Sequence, residues 1–208
     1  MKYCIGVYGD SISFGYGNND TSWFDRLNGF VHKNKMAQNG ETVENVFSKL
    51  LNDNNQYKIL ILAVGVNNFL QDFPQPDSSN VHQTLSVYEQ IVELAKDKSE
   101  KFIIQNALPI IEERFPNQKY LDEPKWIYNS NIIAFNKGLY RLAKKHNVQL
   151  IDMHKVFDEK NLCDLYFDGV HPNINGQNLL LSVYQDILCN FVTLEKKNID
   201  MKWIYKYK

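Results

Sequence analysis

Short apolar runs alternate along this chain with stretches whose apolar residues recur every three or four positions. Tyr57–Val64 (YKILILAV) is the clearest run, apolar without alternation, as a parallel strand buried on both faces requires. Tyr3–Tyr8, Lys101–Asn106 and Val148–Asp152 are similar, and Lys35–Gln38, just before Asn39-Gly40, reads as a brief edge strand. Between them the spacing predicts helices over 22–33, 42–53, 82–97, 129–146 and 175–191. In the fourth, Ile132, Ile133, Phe135, Leu139, Leu142 and Ala143 share one face and Lys137, Lys144 and Lys145 the other. Strand–helix alternation of this kind predicts an α/β domain with a mostly parallel sheet and right-handed crossovers. Two segments break the rhythm, 69–81 and 109–128, both Pro-punctuated and polar. Each follows a strand and carries aromatics (Phe73; Phe115, Tyr120, Trp126, Tyr128). Ligands of open parallel sheets bind beyond the carboxyl ends of the strands, so these loops are either walls of a cleft or surface packing.

The length, 208 residues, suits one domain over 1–192, leaving 193–208 as a basic, aromatic tail expected to dock on the body or a neighbour. A net charge of -1 with only three arginines (Arg26, Arg114, Arg141) argues against a nucleic-acid partner. Cys4, Cys163 and Cys189 are odd in number and scattered, which suits a reducing compartment. No apolar run approaches the roughly 18 residues of a membrane span. The first residues turn polar too soon for a signal peptide, so the expected location is cytoplasmic.

Chemistry-bearing residues fall just after the predicted strands. Ser11 sits in Gly9-Asp10-Ser11 after the first, where a serine is either a helix cap or an exposed hydroxyl. Asn67 follows the strongest strand in Gly65-Val66-Asn67-Asn68, and Gly40 follows the edge strand in Asn39-Gly40-Glu41-Thr42. Near the far end, Asp168-Gly169-Val170-His171-Pro172-Asn173 sets a carboxylate three residues before an imidazole in a tight loop. Pro172 pushes His171 towards extended backbone, and Asp168 can fold back onto one ring nitrogen. Each piece is common alone. Together they supply a nucleophile, a base with its orienter, and donors for a developing oxyanion.

This set resembles the GDSL/SGNH hydrolase superfamily, whose four blocks carry Ser, Gly, Asn and His. Ser11, Gly40, Asn67, and Asp168 with His171 match those blocks in order and spacing, and the resemblance spans residues 3 to about 188. It implies a flavodoxin-like, three-layer α/β/α sandwich around a five-stranded parallel sheet of order 2-1-3-4-5. It implies a serine hydrolase cleaving carboxylic esters through an acyl-Ser11 intermediate. In that reading His171 is the base, Asp168 its partner, and Ser11, Gly40 and Asn67 the oxyanion hole. One position departs: the third block usually ends in Asp, where this chain has Asn68.

The expected substrate is a small-molecule ester, an O-acyl or O-acetyl ester of a sugar or metabolite, contacted by Asn68, Phe73 and Trp126. An acyltransferase with a sugar acceptor, a lysophospholipase or thioesterase, and a catalytically silent binding module are the alternatives, and a homo-oligomer stays open. No cofactor and no metal are expected, because His32, His82, His146, His154 and His171 lack ligand spacing. Asn18, Asn19 and Asp20 lead into no EF-hand spacing. Ser13 stands where a GxSxG elbow would need glycine. His154 lacks the carboxylate loop of a rival base, and Asp10 and Asp152 read as structural turn residues.

Overall fold

Burial on both faces explains the uninterrupted apolar run of the central strand. In the computed structural model, which describes residues 2–117 and 123–189, five strands form one parallel sheet of order β2-β1-β3-β4-β5. They are β1 (Lys2–Gly9), β2 (Lys33–Ala37), β3 (Gln56–Ala63), β4 (Ser99–Gln105) and β5 (Gln149–Ile151). Leu60 and Leu62 of β3 face one core, with Val46, Leu50, Tyr88, Ile91 and Phe135. Ile59 and Ile61 face the other, with Trp23, Phe24, Phe157, Leu180 and Tyr184. The helices are α1 (Ser11–Phe14), α2 (Val43–Asn52), α3 (Val81–Lys98), α4 (Asn129–His146), α5 (Met153–Asp158), α6 (Leu162–Leu165) and α7 over 174–189. Helices α2, α3 and α4 supply the first core, and α1, α5, α6 and α7 the second, which gives the three expected layers. The tail expected to dock, 193–208, lies outside the described residues.

Two expectations change. Residues 22–32 form one turn, over 23–26, followed by bends instead of a helix, and β2 begins at Lys33. Trp23, Phe24 and Leu27 are buried at helical spacing, so the pattern is that of a single turn. The carbonyls of Phe24, Asp25 and Leu27 accept from the Lys33 ammonium, and the Phe24 carbonyl also takes the Leu27 N–H at 3.2 Å, closing a turn. On α4, Ile133 is exposed while Ile132, Phe135, Leu139 and Ala143 face the core. Among the described residues no helix is long and apolar enough to cross a membrane.

Register brings three strand ends together. Gly9 of β1 pairs with Ala37 of β2 and with Ala63 of β3, so the three strands end level. The loops that leave them carry Ser11, Gly40 and Asn67 to the same edge of the sheet.

Candidate active site

Asp10 fixes the first of these residues. Its carboxylate accepts from the Ile12 N–H at 3.0 Å and caps α1, placing Ser11 at the first helical position. Asp10 is 3% exposed, and burial pushes its carboxyl up to about 6 against the pull of the Ile12 N–H and of the charge on His171. The Ser11 hydroxyl lies 2.9 Å from His171 Nε2, across 160 positions of sequence.

The loop after α6 holds the imidazole. Asp168 Oδ1 accepts from the Val170 and His171 N–H groups at 3.0 and 2.8 Å, and Oδ2 lies 2.5 Å from His171 Nδ1. Burial works to raise the Asp168 carboxyl, but the imidazole hydrogen bond and charge and the two backbone N–H groups outweigh it and hold it below the usual range. An ionised carboxylate only accepts, so the proton belongs on Nδ1 and leaves Nε2 to accept from Ser11. The loop is tied down from outside. Ile111 N–H donates to the Gly169 carbonyl at 2.8 Å, and Asn18 Nδ2 donates to the Pro172 carbonyl at 2.9 Å.

Gly40 adopts φ +74, in the left-handed region that favours glycine, and the space a Cβ would enter is open. Asn67 Nδ2 donates to the Glu41 carbonyl at 2.9 Å, which holds its amide beside Gly40 and leaves a second amide hydrogen. Asn68 is turned the other way. Its Oδ1 accepts from the Val43 N–H at 2.9 Å and its Nδ2 donates to Glu44 at 2.8 Å, both at the start of α2. An amide can serve both partners; an Asp here would set a second carboxylate against Glu44. The departure from the family pattern is thus accommodated by the neighbouring glutamate.

The two long loops meet where Gln71 and Trp126 exchange backbone hydrogen bonds of 2.9 Å. Phe73 stands exposed on the first. Among the described residues, neither Phe73 nor the Trp126 side chain has a hydrogen bond or ring contact to Ser11, Gly40 or Asn67. Asp152 caps α5, accepting from Lys155 N–H and Asn106 Nδ2. His154 follows it with a backbone bond to Asn106 and stands apart from Ser11 in the hydrogen-bond pattern. The ligand atoms of Glu89, Glu93 and His146 lie within 4.8 Å of one another, but His146 and Lys145 already contact the Glu89 carboxylate, at 2.5 and 2.8 Å.

Sequence reasoning missed several neighbours of the site. Gln177 of α7, fully buried, accepts from the Trp23 N–H and donates to the Ile12 carbonyl, bracing the turn that holds Ser11. Tyr16 and Phe167 put aromatic rings against His171. Only Phe167, next to the Asp168 motif, had a neighbour that could have drawn notice.

Comparison with known proteins gives the family and the fold. Residues 7–179 match the model of the GDSL-like Lipase/Acylhydrolase family. A lipase/acylhydrolase from Enterococcus faecalis shares the fold with a TM-score of 0.69 and 18% identity, over 90% of this chain and 95% of that one. A GDSL-like lipase from Bacteroides thetaiotaomicron gives 0.67 and 18%, over 90% and 88%. A catalytic mutant of an acetylxylan esterase from Geobacillus stearothermophilus gives 0.62 and 12%, over 88% and 93%. No curated protein matches the sequence at a significant level.

Proposed function

The chain belongs to the GDSL-like lipase/acylhydrolase family and is an ester hydrolase; from that premise we propose that it acts by acyl transfer through Ser11, on short-chain O-acyl or O-acetyl esters of a sugar or small metabolite. The observation that carries this reading is the unbroken line of bonds from the Ser11 hydroxyl through His171 to Asp168, at 2.9 and 2.5 Å. His171 Nε2 takes the Ser11 proton as Oγ attacks the ester carbonyl, and Asp168 stabilises the imidazolium that forms. The oxyanion is held by the Ser11 and Gly40 N–H groups and the Asn67 amide, each such donor being worth about 100- to 1,000-fold in rate. His171 returns the proton to the alcohol oxygen, the C–O bond breaks, and water repeats the sequence on the acyl-serine.

A short acyl group is supported by the packing under the nucleophile. The cavity lined by Asp10, Ile12, Val66, Leu108, Ile110 and Val170 measures about 10 Å³, roughly room for one water. A void of that size behind the Ser11 turn gives a long acyl chain no room in that direction. The sugar ester is supported by the likeness to an acetylxylan esterase.

The test combines fluorophosphonate labelling with hydrolysis of p-nitrophenyl acetate and octanoate. We expect the label on Ser11, faster turnover of the acetate, and a fall of at least about 10⁴-fold in Ser11→Ala. Undiminished hydrolysis by the alanine variant would refute the role of Ser11, and preference for octanoate would refute the short acyl group.

A further inference from the structure

The alcohol half of an ester must leave on the His171 side of the tetrahedral centre, because the nitrogen that takes the Ser11 proton hands it to the departing oxygen. What stands beside that imidazole is aromatic. The Tyr16 ring centroid lies 4.5 Å from that of His171, the Phe167 centroid 5.7 Å from it and 6.0 Å from Tyr16. His171 is 7% exposed, whereas Phe167 is 44% exposed and so the outermost of the two.

Phe167 is held, not dangling. Its N–H donates to the His171 carbonyl at 3.2 Å, within the short hairpin closed by the Tyr166–Pro172 bridge. A Cβ on Gly17 would come within 2.2 Å of the ring, so the ring lies directly against the Gly17 backbone. The Asn18 side chain, one residue on, clamps that loop to Pro172. A scattered exposed phenylalanine needs no explanation. This one is fixed against His171, Tyr16 and Gly17 and yet keeps 44% of its surface exposed.

We propose that Phe167 is a specificity-determining residue whose open ring face is a stacking platform for the alcohol half of the substrate, selecting ring-shaped alcohols, a pyranose above all, over open-chain ones. The inference rests on acyl transfer through Ser11. A benzene face is electronegative and apolar and carries no hydrogen-bonding group. It therefore recognises a flat face of C–H bonds, which a pyranose ring presents and an ethyl group does not.

The experiment compares two acetates that share the acyl group, ethyl acetate and an acetylated methyl pyranoside, in the wild type and in Phe167→Ala, Phe167→Leu and Phe167→Trp. We expect Ala and Leu to raise KM for the pyranoside about three- to ten-fold, with kcat and the ethyl acetate kcat/KM held within about two-fold. Trp should restore the wild-type KM. Equal losses on both esters would mean that Phe167 only supports His171, and an unchanged pyranoside KM would mean that it touches no substrate; either overturns the proposal while leaving Ser11 chemistry intact. A wild type that cleaves neither ester would overturn the acyl-transfer reading, and this proposal with it.

Discussion

Two buried carboxylates, Asp168 and Asp53, are alike in almost every static respect. They are 8% and 9% exposed, and in each the hydrogen bonds received outweigh burial and hold the carboxyl below its usual range. Asp53 accepts from the Tyr57 and Tyr8 hydroxyls at 2.5 and 2.6 Å and from the Asn55 N–H at 2.8 Å. Asp168 accepts from an imidazole and two N–H groups. What differs is the donor and where the line of bonds ends. Burial first, then Asp53 itself, pushes both phenols far above their ordinary range, so neither gives up a proton near neutrality. Their network, between the end of α2 and the start of β3, takes in the Asn34 amide as well, which donates to the Tyr57 hydroxyl at 2.6 Å, and it is closed in the sense that its phenols keep their protons. The line from Asp168 passes instead through an imidazole, whose second nitrogen can hand a proton on, and ends on a hydroxyl beyond the opposite edge of the sheet. A buried charge network becomes chemistry only when its far end can exchange a proton with a ligand.

The sharpest way to break this contrast is to remove only the charge at the reactive end. Asp168→Asn keeps shape and volume but can offer an N–H to His171 Nδ1, favouring the wrong tautomer. We expect kcat on p-nitrophenyl acetate to fall about 10⁴-fold, with an unchanged circular dichroism spectrum. A loss below tenfold would show that Asp168, like Asp53, is scaffold.

Asp10 tests the comparison from a third side, because there burial outweighs the hydrogen bonds, which come from the Ile12 N–H and its own. Burial, with a smaller push from the Glu41 charge, raises its carboxyl to about 6. The unfolded value is about 3.9, so between about pH 4 and 6 the native state binds more protons than the unfolded chain. Stability contributed at this site therefore falls as pH rises through that window. The full span is up to about 3 kcal/mol at about 1.4 kcal/mol per pH unit. Asp10→Asn keeps an oxygen to cap Ile12 and has no charge to bury. Urea unfolding at a series of pH values should show the variant gaining on the wild type from pH 4 to 6 and staying ahead at pH 7. Parallel curves would mean that Asp10 is solvated or paired in a way these bonds do not reveal.

The reactive end was readable from sequence because its bonds are local or follow strand ends. Asp168 reaches His171 within one tight loop, and Ser11, Gly40 and Asn67 each leave a strand of the level trio β1, β2 and β3. The closed network had no such signal: Tyr8, Asp53 and Tyr57 look like a strand residue, a helix end and another strand residue until the sheet pairs β1 with β3. The same holds for Gln177, whose two backbone partners lie more than 150 positions away. The helix expected over 22–33 failed for a related reason. Its apolar spacing was sound, but the Lys33 side chain takes the carbonyls a helix would have used. Periodicity registers which residues are buried, and not which groups satisfy the backbone.

The smallest expected effect falls at the closed end. Asp53→Asn replaces four accepted hydrogen bonds, two from phenols and two from Asn55, by an amide with a single acceptor oxygen. The phenols share Oδ2 and the two Asn55 donors share Oδ1, so the amide oxygen can keep one pair and its NH2 faces the other, at a cost of about 2 kcal/mol. Since the folded carboxyl sits below its unfolded value, the stability it contributes is present above about pH 4 and is lost as pH falls through the folded value. The deficit of the variant should therefore be full at pH 7 and shrink in acid, the opposite sense from Asp10. Urea unfolding at pH 7 and in acid measures this, and esterase activity measured alongside should stay within about two-fold of wild type, as distant sites act independently. A tenfold fall in kcat with little loss of stability would reverse the assignment, making the tyrosine-lined carboxylate part of the working site.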